Sequence, residues 1–216
     1  HSHQNETVQM ERGMYGGIVI EDETDPVMDH EEVLVLDDMQ LNANSEFTQH
    51  GPVGRWIERH DGREGATNLI NGKEGLTLYM HAGQVERWRI INAASARYFR
   101  LSLDGIPFKV IATDGGLLEH ARTETEILIT PGERFDIVVG PFEEGEVFSI
   151  QSLPYNRVTM LKAKQQQYAT VQVIDKKPSI AVLPEKLAEI EMLAPQDARV
   201  TRKVTLSVDP SLKRII

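Results

Sequence analysis

Arg97-Tyr98-Phe99-Arg100-Leu101-Ser102-Leu103 places an apolar side chain at every second position and a more polar one between. Successive side chains of an extended chain point to opposite faces, so the stretch reads as a strand with one face in a core and the other near water. Working outward, the same reading predicts strands over residues 17–21, 33–37, 76–81, 86–92, 108–112, 125–130, 135–139, 147–152 and 169–174, besides 97–103 itself. Asp104-Gly105, Asp114-Gly115-Gly116 and Pro131-Gly132 stand between them and supply a positive or preset φ where the chain reverses. Short strands at this spacing predict an all-β sandwich with Greek-key connections.

Punctuation marks the edges of that unit. Residues 22–31 are acidic, contain Pro26 and lack periodicity, as a linker does. Residues 176–200 carry Pro178, Pro184 and Pro195, which confine any helix there to a short turn over 185–190. Beyond them, 203–208 alternates like the first strand of another unit. Segment 43–67 is long, polar and rich in glycine; it is either an insertion or a cover for a neighbouring surface.

The amino end carries a pair of imidazoles. His1-Ser2-His3 sets two histidines at i and i+2, which an extended chain projects from one face about 7 Å apart, so that both reach one site. Neutral imidazole ligates copper, zinc, iron or nickel, and the pair alone specifies no metal. With Gln9 and Gly13-Met14-Tyr15-Gly16-Gly17-Ile18-Val19-Ile20 behind it, however, the stretch resembles the second copper-binding motif of the multicopper oxidases, the laccase-like blue copper enzymes. Glu32-Val33-Leu34-Val35-Leu36-Asp37-Asp38 resembles the first strand of their second cupredoxin domain, and Asn68-Leu69-Ile70-Asn71-Gly72 its central loop. Gln84-Val85-Glu86-Arg87-Trp88-Arg89-Ile90-Ile91-Asn92-Ala93-Ala94 is similar to the family's strand carrying R-x-R-x-x-N-A. Thr113-Asp114-Gly115-Gly116 and Pro131-Gly132-Glu133-Arg134-Phe135-Asp136 complete a likeness that covers residues 1 to about 175.

The resemblance implies a cupredoxin-like Greek-key β-sandwich and a division of labour. Residues 1–24 become the C-terminal end of a first cupredoxin domain, 25–175 a whole second domain, 176–202 an interdomain linker and 203–216 the first strand of a third domain. His1 and His3 are implied as metal ligands, giving one imidazole to each type 3 copper of a trinuclear cluster; no catalytic residue is implied within this segment. A type 1 copper needs a cysteine thiolate, and the chain has no cysteine, so that centre and the remaining ligands fall outside the segment. The implied partners are the other cupredoxin domains of the same polypeptide, O2 and a reducing substrate, either phenolic or a metal ion. The implied setting is periplasmic or secreted.

Two other readings stay open: a non-catalytic cupredoxin scaffold or copper-binding module, and, with less support, a nitrite-reductase-like enzyme, which would also require a cysteine-ligated copper. At a free amino end, the His1 amine, two amides and the His3 imidazole could also wrap Cu(II) in a square plane. His30, His50, His60, His81 and His120 are too scattered to form a ligand set and read as surface or hydrogen-bonded residues. The seven methionines are dispersed and read as packing, Asp37-Asp38 as a strand end, and Glu143-Glu144 as a solvated turn. A net charge of −10 argues against nucleic acid and anionic membrane surfaces, and no apolar run approaches the roughly 20 residues of a membrane span.

Overall fold

Strand β1 (His30–Met39) shows how the layers arise. Leu34, Leu36 and Asp38 share one parity and turn into the molecule, while Val33, Val35 and Asp37 take the opposite face. A computed structural model describes residues 3–4, 6–44, 46–47, 62–156, 164–191, 193–205, 208–209 and 214–215. In it β1 pairs antiparallel with β2 (Thr67–Ile70), and parallel with β4 (Glu86–Asn92) across a β3 (Leu76–His81) that belongs to the other sheet. β5 (Phe99–Leu103), β6 (Phe108–Thr113), β7 (Gly116–Glu124), β8 (Glu126–Ile129), β9 (Arg134–Val139), β10 (Val147–Leu153) and β11 (Gln166–Ile174) complete two layers. One sheet runs β2-β1-β4-β9-β6-β7 and the other β3-β11-β10-β5-β8.

The inward residues of both layers form one core. Trp88, Ile90, Val110 and Ile137 from the first sheet and Phe99, Leu103, Ile150 and Val171 from the second are all fully buried. Phe99 meets Tyr168 edge to face, with centroids 5.3 Å apart. Hydrophobic alternation thus produces the expected all-β, cupredoxin-like sandwich. The outward arginines of β4 are held by carboxylates. Arg87 donates to Asp136 at 2.6 and 3.0 Å and lies 3.1 Å from Asp25, while Arg89 donates to Glu31 at 2.8 Å. Asn92, which follows them on the core side, donates to the carbonyls of Arg97 and Ile129 and accepts from the Ala94 N–H. That brace sets the turn into β5, and Asp104 and Gly105 leave β5 with φ of 51° and 79°.

Four expectations need correcting. Residues 17–21 join no ladder: Gly17 rests on the side chains of Val33 and Ile91, while Ile18 and Ile20 are 88% and 84% exposed. β5 starts at Phe99 instead of 97, because Arg97 turns its guanidinium towards Asp38 and Gly65. Residues 185–190 form no helical turn. That stretch lies flat on the first sheet, where Leu187 packs with Ile111 and Val138 and its N–H donates to the Glu119 carbonyl. Of the strand expected over 203–208, Lys203 to Thr205 are exposed and in no strand, residues 206–207 lie outside the described residues, and Val208 opens β12 (Val208–Asp209), which pairs with β13 (Arg214–Ile215). Two strands were also missed. β7 breaks alternation at Leu117-Leu118, and β2 is only four residues long before its turn at Asn71 and Gly72.

The linkers are more ordered than their composition suggests. Asp22 closes a local turn by accepting from the Thr24 N–H and hydroxyl, Val27 forms a bridge with Val182, and Met28 and Leu183 join the small cluster around Leu187. No helix among the described residues is long and apolar enough to cross a membrane.

Candidate metal centre and its anchor

His1 lies outside the described residues, and His3 is exposed just before helix α1 (Glu6–Glu11). Six residues are too few to hold a helix alone, so its end and its contacts must stabilise it. The end is a Schellman arrangement. Gly13, at φ 83°, donates to the Met10 carbonyl, and Met14 donates to that of Gln9. This gives the glycine of Gly13-Met14-Tyr15 a structural reason, since the left-handed conformation suits a residue without a Cβ.

From that turn the segment is fastened to the sandwich at four places. The Tyr15 hydroxyl donates to Asp37 on the outer face of β1. The Glu11 carboxylate accepts from the Ser95 hydroxyl at 2.5 Å and pairs with Arg63. The Arg12 guanidinium lies 6.0 Å from the centre of the Phe47 ring. Gly17 lies flat on β1 and β4, where an added Cβ would come within 2.9 Å of the Ile91 side chain.

Behind Asp37 is a deeper charge pair. Asp38 has no exposed side-chain surface; it accepts from the Gly65 N–H at 2.6 Å and from Arg97 Nε at 2.7 Å. Arg97 also donates to the Gly65 carbonyl and, at 3.2 Å, to Gln166 of β11. Arg63 closes the path by reaching the Asp38 carbonyl at 3.4 Å. A continuous polar connection therefore runs from α1 through Glu11, Arg63, Asp38 and Arg97 into the second sheet.

Electrostatics follow from this burial. Desolvation lifts the Asp37 carboxyl above the ordinary aspartate range, against the Tyr15 hydrogen bond that favours its ionised form. Desolvation also raises the Tyr15 phenol, and its bond to Asp37 raises it further. For Arg97 burial works against the charge, but Asp38 and its other partners outweigh it, so the guanidinium is held protonated even more firmly than usual. A cleft of about 330 Å³ opens between the segment and β1, lined in part by Arg12, Tyr15, Asp37, Phe47 and Asn71.

The scattered histidines behave as expected where they are described. His30 sits 3.5 Å from Glu32, His81 is 2.8 Å from Lys177 Nζ, and His120 Nδ1 is 2.8 Å from the Glu185 carbonyl. His50 and His60, like Met160 and Met192, lie outside the described residues. Met80 and Met28 pack as expected, whereas Met14 is 63% exposed. Glu143 and Glu144 are exposed at a turn. Among the described residues no group of three or more His, Cys, Asp or Glu side chains is disposed to hold a metal ion.

The donor chemistry fits copper in part. Two imidazoles spaced as in His1-Ser2-His3 suit a shared multinuclear site, and without a thiolate the chain suits no blue copper centre. Asp37 and Asp38, read as a plain strand end, hold the amino-terminal segment and Arg97, which the sequence pattern alone understates. Their signal was parity: Asp38 continues the core face of Leu34 and Leu36, and so has to be buried and paired.

Comparison with known proteins agrees with this architecture. The family model described as multicopper oxidase matches residues 31–178. The cell division protein FtsP of Photorhabdus laumondii is 31% identical over 144 residues, 63% of this chain and 29% of that protein. The laccase of Bacillus subtilis is 40% identical over 76 residues, 35% of this chain and 15% of that protein. The crystal structure of a variant of McoA, a multicopper oxidase from Aquifex aeolicus, superposes with a TM-score of 0.75 at 25% identity, covering 88% of this chain and 43% of that one. The chain thus spans less than a third of the curated relatives it matches. With the family match covering most of its length and the sandwich superposing on a solved member, the chain belongs to the multicopper oxidase family.

Proposed function

We propose that this chain is the central part of a laccase-like oxidase that couples one-electron oxidation of a phenolic or metal-ion substrate to reduction of O2 to water. The observation carrying the reading is the His1-Ser2-His3 pair, followed by a helix and turn that Glu11, Tyr15 and Gly17 fasten to the sandwich. In this reading residues 1–24 end a first cupredoxin domain, 25–175 are the second, 176–202 link it to a third, and 203–216 begin that third domain. His1 and His3 would hold copper, one imidazole on each of two ions, and copper when bound supplies the one-electron steps to O2. The chain's own residues do the positioning: the Schellman turn and the Tyr15–Asp37 bond fix helix α1 against the sandwich, which gives that bond a rigid base. The exposed Ile18 and Ile20 give the segment an apolar face for the first domain to cover. Catalysis of this kind suits a periplasmic or secreted enzyme.

A non-catalytic scaffold is the second reading, favoured by relatives named as cell division proteins. Copper content and oxidation of a phenolic dye by the intact gene product separate the two. The oxidase binds several coppers per chain and consumes O2 with the dye; a product that binds none and leaves the dye unchanged is a scaffold.

A further inference from the structure

Asp29 lies where three segments meet. One carboxylate oxygen accepts from the Val85 N–H at 2.7 Å, at the approach to β4, and from the Ser179 hydroxyl at 2.6 Å; the other accepts from the Ile180 N–H at 2.6 Å. The Asp29 N–H in turn donates to the Val85 carbonyl at 3.0 Å. On either side the two linkers touch again. The Val182 N–H donates to the Val27 carbonyl at 2.8 Å, Gln84 reaches the Pro178 carbonyl at 3.1 Å, and Met28 and Leu183 share the cluster around Leu187. Upstream, Asp25 is pinned by Arg87 and Arg89. Partial burial works to raise the Asp29 carboxyl, but bonds from Ser179, Val85, Ile180 and Ala181 prevail and hold it below the ordinary aspartate value, so it stays ionised to bind these donors.

The segment entering the sandwich and the segment leaving it are therefore joined into one strap across the first sheet. The apolar packing of the strap is confined to Met28, Leu183 and Leu187 over Ile111 and Val138; around the Asp29 bonds Ile180 and Val182 are 71% and 62% exposed, so the polar bonds there do not serve to close the core. We infer that Asp29 is a positioning residue, which locks the incoming and outgoing linkers together and so fixes how the domains before and after this sandwich face each other. The inference rests on the proposed oxidase reading for its consequence: ligands from those two domains meet in one cluster only if the two linkers leave in a set relation.

The test uses the intact gene product, wild type and Asp29→Ala, with and without copper. In the copper-free proteins, small-angle scattering should show a single narrow distance distribution for wild type and a broadened one for D29A, with unchanged far-ultraviolet circular dichroism. In the copper-loaded proteins, D29A should lose the near-ultraviolet absorption of the paired coppers and drop in turnover on the order of 100-fold, because a ligand misplaced by an ångström is enough for that, while the blue band stays. A disulfide from Val27→Cys and Val182→Cys, placed at bridge partners within bonding reach, should restore both readouts in the D29A background. Unchanged scattering in D29A, or unchanged spectra and turnover, overturns the inference. A wild type that binds no copper sinks the oxidase reading instead, and the scattering then decides on Asp29 alone.

Discussion

At the scale of single residues, parity decides what a polar side chain must do. Asp38 occupies a core position of β1, and its charge is tolerated because Arg97 and the Gly65 N–H meet it. Asp38→Ala leaves the Arg97 guanidinium with only Glu64, 3.7 Å away, as a carboxylate partner in a nearly closed site, so chemical denaturation should show a loss on the order of 3 kcal/mol. Like Asp37, Glu86 is another buried carboxylate. The Trp88 indole donates to it at 3.0 Å, but desolvation raises its carboxyl above the ordinary glutamate value, so the folded state holds this proton more tightly than the unfolded chain does. Stability therefore falls as pH rises through the raised value. Glu86→Gln keeps an acceptor for the indole and cannot ionise. Its melting temperature should match wild type in acid, where both side chains are neutral, and exceed it at neutral pH; equal melting at neutral pH would contradict the burial argument. Residues of this kind are half legible in sequence. Their face follows from period two, but Arg97 and Gly65, which complete the Asp38 site, come from distant segments that no local pattern connects.

At the scale of elements, alternation locates strands and close contacts locate glycines. Most strands with clean alternation or apolar runs appear where the pattern puts them. Those that fail do so for tertiary reasons: residues 17–21 have strand composition yet join no ladder, and β7 gains its place by edge pairing with β6 despite its irregular pattern. The linker over 185–190 has helix-forming residues, yet burying Leu187 against Ile111 and Val138 favours an extended path. Gly65 shows contact control most sharply. A Cβ there would sit 2.3 Å from the Met39 carbonyl, which is backbone and has little room to give. Gly65→Ala should cost about 1–3 kcal/mol and shift the amide signals of Asp38 and Arg97. Gly17→Ala meets only the tip of the Ile91 side chain and should cost less. A larger cost at Gly17 than at Gly65 would show that the flat approach of the amino-terminal segment matters more than the Asp38 site.

At the scale of the whole molecule, two bonded layers carry a fastened amino-terminal helix and turn and a strap of paired linkers across one face. The acidic surface, the absence of cysteine and the His1-Ser2-His3 motif were legible from composition and spacing. The fastening of the helix that follows that motif was not, because Glu11, Arg63 and Ser95 converge only once the sandwich has folded. In the proposed reading, the base under Tyr15 is how a domain without a metal-binding cluster among its described residues would govern a copper site. The most direct test is the absorption spectrum of the intact, copper-loaded gene product carrying His1→Ala and His3→Ala. The account predicts that the near-ultraviolet band of the paired coppers disappears and O2 consumption stops while the blue band remains. Retention of both bands with full turnover would contradict it.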